Sequence, residues 1–519
     1  MTREARFATS VALVVALGGF LMGFDASVIS GVVGFVEDEF SLNKIEVGWV
    51  VASLTLTATL AMMLAGPLSD RIGRRPVLTL AAVLFAASAV ASALAPNYWT
   101  LVAARMLGGL GVGAALIIAP MYIAEIAPAA VRGRLVSFNQ LNIVIGISAA
   151  FFSNYFILKL GESDLGWAKV SRVGEWGWRW MLGVEAAPAL FYLAALVVVP
   201  ESPRWLAMRG RHDEALAVLG RFTDAQNAKP ALAAVRDSLA AQADQTRLRL
   251  GELFAPRLGK VLLIGITVAV LQQLTGINAV FFYAPMIFEQ SGIGTDAAFL
   301  QATLVGLVNL VFTVAALLLI DRVGRRPLLC VGLAGIAVCM LTLAWGFGQA
   351  SYTLGADALA AMPDTLDVQR LASVVGVTFG SDIAFREAVI AAVGGEAFAA
   401  NEAAFVSAAI AVDPRVILVA ILGFVASFAM SLGPVMWVLF SELFPNRLRG
   451  LAVSFVGLIN SAVSFGVQLV FPWELERLGN ATTFALFGIV AALGFFMVLR
   501  LVPETKGRTL EQLEATLSA

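Results

Sequence analysis

Cysteine, histidine and charge are all scarce in this chain of 519 residues, and each scarcity excludes something. The two cysteines, Cys330 and Cys339, fall in one predicted helix. At about 100° per residue they point to opposite faces and cannot bridge each other. The single histidine, His212, stands beside Asp213 and Glu214 at a predicted helix start, which reads as a solvated surface position. There is no phosphate-binding glycine loop, no grouping of metal ligands and no histidine inside an apolar run for base chemistry. An enzyme is therefore not expected, and neither a cofactor nor a metal is implied. Charged residues make up only 14%, with a net charge of −1 and a pI near 6.1, which gives no basis for binding nucleic acid.

Apolar length is what the chain has in abundance. Hydrophobic residues make up 59% and the mean hydropathy is +0.86, values that belong to a protein crossing a lipid bilayer many times. A spanning helix needs about 20 apolar residues. Twelve such runs occur, at approximately 8–33, 47–67, 76–95, 98–125, 134–158, 178–199, 260–290, 297–319, 327–350, 413–441, 449–474 and 480–501. The N-terminal run has basic residues before it but no small-residue cleavage site after a short core, so it reads as a retained first helix. The expected fold is an all-α membrane protein with twelve transmembrane helices in two pseudo-symmetric six-helix halves. The expected parts are an N-terminal bundle over 1–199, a linker of amphipathic helices over 200–259, and a C-terminal bundle over 260–519.

Within the seventh run lies Gln272-Gln273-Leu274-Thr275-Gly276-Ile277-Asn278. Three amides at bilayer depth are costly unless something polar uses them. A regular helix would hold Asn278 about 140° around from Gln273. A helix loosened near Gly276 could instead turn all three toward one cavity and expose carbonyls there. This segment reads as half of a site for a hydroxyl-rich solute, with amide bonding between packed helices as the alternative.

Basic residues concentrate in alternate short loops: Arg71, Arg74 and Arg75; Arg132 and Arg134; Arg322, Arg325 and Arg326; Arg447 and Arg449; Lys506 and Arg508. By the positive-inside rule both termini and the linker are expected on the cytoplasmic side. One loop on the opposite side is long. Residues about 351–412 are rich in alanine, with Asp357, Asp364, Asp367, Asp382 and Glu387 against Arg370 and Arg386. Short helices over the outer mouth and a weakly ordered cap are both open readings.

The halves also repeat locally. Asp70-Arg71-Ile72-Gly73-Arg74-Arg75-Pro76 recurs as Asp321-Arg322-Val323-Gly324-Arg325-Arg326-Pro327, the stretch Glu125 to Gly133 recurs as Glu442 to Gly450, and Pro200–Arg204 is echoed by Pro503–Gly507. A duplicated unit of this kind can rock about a central site. With Gln272–Asn278 and Gly433-Pro434-Val435-Met436-Trp437, these motifs occur in an order that resembles the sugar porter family of the major facilitator superfamily, closest in type to bacterial xylose and hexose proton symporters. The likeness covers essentially all twelve helices.

The resemblance implies proton-coupled sugar uptake by alternating access. The expected partners are a small sugar or polyol, a proton and the lipid bilayer, with a multi-pass protein of the cell inner membrane working as a monomer. An uncoupled facilitator is the alternative within transport, and a transporter-like sugar sensor the alternative outside it. Asp25, inside the first apolar run, is a natural proton carrier because an ionised carboxylate is costly there. In the resembling symporters such an acid pairs with a helix 4 arginine, which the match assigns to Arg132. Arg105 is expected to be structural, packing near the repeated loops. Gln272, Gln273, Asn278, Tyr283, Asn309, Trp437 and Asn460 correspond to sugar-binding positions. Ile147, Asn460 and Ser461 depart from the xylose and glucose pattern, which suggests a retuned site open to a bulkier solute such as a disaccharide. A latch of ion pairs is expected from Asp70, Arg71, Arg75, Glu125, Glu201 and Arg204 in one half, and from Asp321, Arg322, Arg326, Glu442, Arg449 and Glu504 in the other.

Overall fold

A computed structural model describes residues 3–127, 132–223, 225–243, 250–355, 368–399, 401–445 and 448–508. Hydrocarbon offers a backbone no partner but itself, so the apolar runs become helices. Eleven helical stretches are long and apolar enough to cross a bilayer among the described residues. They are α1 (Arg6–Gly31), α2 (Lys44–Ile72), α3 (Arg74–Ala93), α4 (Tyr98–Ile126), α5 (Arg132–Gly161), α6 (Gly177–Val198), α7 (Gly259–Glu289), α8 (Thr295–Val323), α9 (Arg325–Gly348), α10 (Pro414–Leu443) and Arg449–Leu501. Gly479, at φ 76°, divides the last into α11 and α12, which makes twelve crossings.

Helix α6 is interrupted by a turn at Val184–Glu185, and α7 and α10 are discontinuous as well. In α7 the break falls at Gly276, whose φ of 87° lies in the left-handed region that favours glycine. In α10 it falls at Ser431, just ahead of the Gly433-Pro434 motif.

The helices belong to two compact units, one made of Met1–Val28, Ser53–Ala150 and Arg179–Arg249, the other of Ile29–Ala52, Phe151–Trp178 and Leu250–Ala519. The first has a core that includes Val15, Leu78, Phe85, Tyr122 and Tyr192. The linker helices Pro203–Met208, His212–Phe222 and Ala225–Ala243 close over a small cluster of Trp205, Leu206, Ala207 and Ala215.

In the second unit the long loop is a folded layer. Strands β1 (Ser351–Thr353), β2 (Thr378–Phe379) and β3 (Ile410–Ala411) form an antiparallel sheet with β1 central, Tyr352 facing Phe379 and Ile410. With helices Asp382–Val393 and Glu402–Ala409 they enclose Tyr352, Leu371, Phe385, Val389, Phe398 and Phe405. A core of that size excludes a loose cap. Asp357, Asp364, Asp367 and Arg447 lie outside the described residues.

The layer is held down at two points. Asp382 accepts a hydrogen bond from the Asn480 N–H at the Gly479 turn (3.1 Å). An ion chain runs from Arg386 to Glu402 (2.5 Å), on to Lys44 (2.8 Å) and then to Glu37 (2.6 Å). Burial raises Asp38, pushing it to about 6 with help from Glu37, and burial likewise raises Glu37. For Glu402, burial alone would raise it, but Arg386 and Lys44 outweigh that and hold it low. The folded carboxyls of Asp38 and Glu37 thus bind protons more tightly than unfolded ones, and the stabilisation owed to Asp38 is lost as pH rises through about 6. Amide exchange around Glu37–Lys44, corrected for intrinsic rates, is expected to be slower at about pH 5 than at about pH 7. Equal protection would contradict this.

Candidate functional site

The repeated loop motif builds the same cluster twice. In the first unit the Arg74 guanidinium pairs with Asp70 (2.8 Å) and Glu125 (3.1 Å), and the Ser202 hydroxyl donates to Glu125. Glu201 accepts from the Arg74 and Arg75 N–H groups at the start of α3 (3.0 and 3.3 Å), a carboxylate on the positive end of a helix. In the second unit Arg325 pairs with Asp321 (3.0 Å) and Glu442 (2.8 Å), Thr505 donates to Glu442 (2.6 Å), and Glu504 accepts from the Arg325 and Arg326 N–H groups at the start of α9 (both 3.1 Å).

The arginines that carry these ion pairs are therefore Arg74 and Arg325, and this corrects the expectation for their neighbours. Arg75 donates instead to the carbonyls of Leu196 (3.1 Å) and Val197 (2.8 Å), and Arg326 to that of Leu499. Arg71 and Arg322 have exposed side chains, and their carbonyls accept from Arg209 and Lys506. Arg449 donates to the Phe444 carbonyl (3.3 Å), and Arg204 lies in the first turn of Pro203–Met208.

Glycine is required inside both motifs. Gly73 has φ 107° and Gly324 φ 103°, and a Cβ would stand 2.3 Å from Glu201 Oε2 in one and 2.7 Å from Glu504 Oε2 in the other. Gly73→Ala and Gly324→Ala are each expected to cost about 1–3 kcal/mol. Thermal unfolding in detergent checks this, with an unchanged midpoint as the contrary result.

A second cluster is buried in the first unit. Asp25 on α1 and Arg105 on α4 are each 1% exposed, and they pair. Arg105 also donates twice to the Asp25 carbonyl (both 3.1 Å). Asp25 Oδ2 has no hydrogen-bond partner, and Gly108, one turn beyond Arg105, leaves room for it. A Cβ there would lie 2.5 Å away. Glu185 on α6, 2% exposed, stands within electrostatic reach of both, with its Oε1 unpartnered.

This geometry corrects the pairing of Asp25 with Arg132. Helix α4 ends at Ile126, so Arg132 opens the next helix, and its side chain lies outside the described residues. Arg105 is the α4 arginine, and it packs on Asp25 rather than near the repeated loops. Glu185 was missed because a lone acid in an apolar run carries no mark of its neighbour.

The third cluster, in the second unit, forms at the break in α7. Gln273 donates to Gln272 Oε1 (3.2 Å) and Asn460 Oδ1 (3.1 Å), and accepts from Asn278 (2.8 Å). Asn460 donates to Gln272 Oε1 (2.7 Å) and the Ala269 carbonyl (2.9 Å). Gln272 donates to the carbonyl of Leu432, beside the break in α10 (3.2 Å). Asn278 also donates to Ser464 (2.6 Å), which accepts from Gln468 (2.8 Å). Ser464 and Gln468 were not anticipated, although their spacing from Asn460 puts them on one helical face.

The remaining expected residues surround this network. Tyr283 is fully buried, its hydroxyl donating to the Gln468 carbonyl (2.9 Å) and its ring against Phe471. Asn309 is buried in α8 and takes no part in the amide bonds. Trp437 is 45% exposed, edge-on to Phe440.

The family model described as "Sugar (and other) transporter" matches residues 11–362 and 371–517. The chain belongs to this family. It is 35% identical over 508 residues to an arabinose-proton symporter of Bacillus subtilis, covering 98% of this chain and 94% of that protein. It is also 35% identical over 538 residues to the D-xylose-proton symporter of Escherichia coli, covering 98% and 95%. An inward open structure of the E. coli xylose transporter is similar with a TM-score of 0.74 at 32% identity, over 98% of this chain and 99% of that one. A proton:xylose symporter bound to 6-bromo-6-deoxy-D-glucose is similar with a TM-score of 0.69 at 34% identity, over 99% and 100%.

Proposed function

We propose that this chain takes up a sugar together with a proton by alternating access, as a monomer in the inner membrane with both termini cytoplasmic. The observation that carries the reading is the buried Asp25–Arg105 pair with Glu185 beside it. Two carboxylates face one guanidinium, so the cluster reaches neutrality only when it holds one proton. An unpaired buried charge costs several kcal/mol. A proton entering or leaving therefore changes which arrangement of α1 and α4 is favoured, and a ligand that binds one arrangement better is coupled to that proton.

The amide cluster is the sugar site in this reading. Carboxamides both donate and accept, which suits hydroxyls, and the exposed face of Trp437 suits the C–H side of a sugar ring. Asn460 and Ser461 are short side chains, which favours a bulkier solute such as a disaccharide. The twin arginine clusters serve as the cytoplasmic latch, biasing the equilibrium between inward and outward states. Counterflow in proteoliposomes with labelled monosaccharides, disaccharides and polyols tests the substrate class. Exchange of at least one sugar is expected; strict preference for monosaccharides would exclude the disaccharide, and no exchange of any sugar would overturn the reading.

A further inference from the structure

We propose that Gln468 is a positioning residue of the sugar site, acting through Ser464 to fix which way the Asn278 carboxamide faces. The inference rests on the reading of the amide cluster as the sugar site. Gln468 is 1% exposed and lies two helical turns from Asn460 on α11, so it serves as a support rather than a ligand contact. Its Nε2 donates to Ser464 Oγ at 2.8 Å, and the same oxygen accepts from Asn278 Nδ2 at 2.6 Å.

A serine oxygen has two lone pairs and one hydrogen. Gln468 occupies one lone pair and Asn278 the other. The second hydrogen of Asn278 goes to Gln273 Oε1 at 2.8 Å. With both amide hydrogens engaged, the Asn278 oxygen is turned the other way, as an acceptor. The group it recognises is a hydroxyl that donates. Without Gln468, the serine hydroxyl is free to rotate and donate to the Asn278 oxygen. That admits the flipped amide once Gln273 turns with it, and the NH2 then faces the ligand.

Fluorine in place of a hydroxyl accepts weakly and donates nothing, so deoxyfluoro analogues read this polarity directly. In proteoliposomes, the wild type is expected to discriminate about tenfold in KM against one monofluorinated analogue of its transported sugar, the size of one hydrogen bond. Gln468→Met, close in volume, and Ser464→Ala are each expected to bring that ratio toward one. The double variant should go no further than either single, and Ser464→Thr, which keeps the hydroxyl, should retain the discrimination. Unchanged discrimination in Gln468→Met, or KM and maximal rate worsening together for every sugar alike, would overturn the proposal. If the wild type exchanges no sugar at all, the sugar-site reading fails and this inference fails with it.

Discussion

Arg105→Ala is expected to abolish sugar uptake and to lower the thermal midpoint sharply. The substitution leaves Asp25 and Glu185 buried without a cation, and removes the two hydrogen bonds that hold the Asp25 carbonyl. Removing one member of a buried pair costs about 3–5 kcal/mol, against a total stability of about 5–15 kcal/mol. Arg105→Lys should fall between, because an ammonium keeps the charge but not the planar fork that reaches the side chain and carbonyl of Asp25 together. Pairing Arg105→Ala with Asp25→Asn should recover much of the midpoint and none of the coupled uptake. Near-normal uptake by Arg105→Ala would mean that the cluster is not at the centre of the mechanism.

The second large effect is expected at Gln273, the hub of the amide network. Gln273→Leu deprives Asn278 and Asn460 of a partner each and removes one of the two donors to Gln272. A buried polar group left unpaired costs about 1–3 kcal/mol, so KM for the transported sugar should rise about a hundredfold or more. Gln272→Leu should do less at the ligand, because one of its bonds ties it to Leu432 at the break in α10. A Gln273→Leu protein with unchanged KM would separate the amide network from sugar binding.

The twelve crossings were legible because the bilayer imposes its own length on any spanning helix, and the α7 break because three amides around a glycine have few other uses. What the sequence left open was mostly a matter of register. Arg71, Arg74 and Arg75 are alike as residues, and only the exit angle at Gly73 turns Arg74 inward to Asp70 and Glu125. Asp25 advertised itself, yet its partner lies 80 positions away, and an apolar run gives no sign of which arginine it meets. The insert was opaque because its strands are two or three residues long, too short to show an alternating pattern.

The most direct test follows the pH outside proteoliposomes in weak buffer when the transported sugar is added, comparing the wild type with Asp25→Asn. Alkalinisation that follows the sugar and disappears in Asp25→Asn, while sugar exchange persists, is the predicted result. Sugar entry without proton movement, the same in both proteins, would contradict the account and leave Asp25 and Arg105 as a structural pair in an uncoupled carrier.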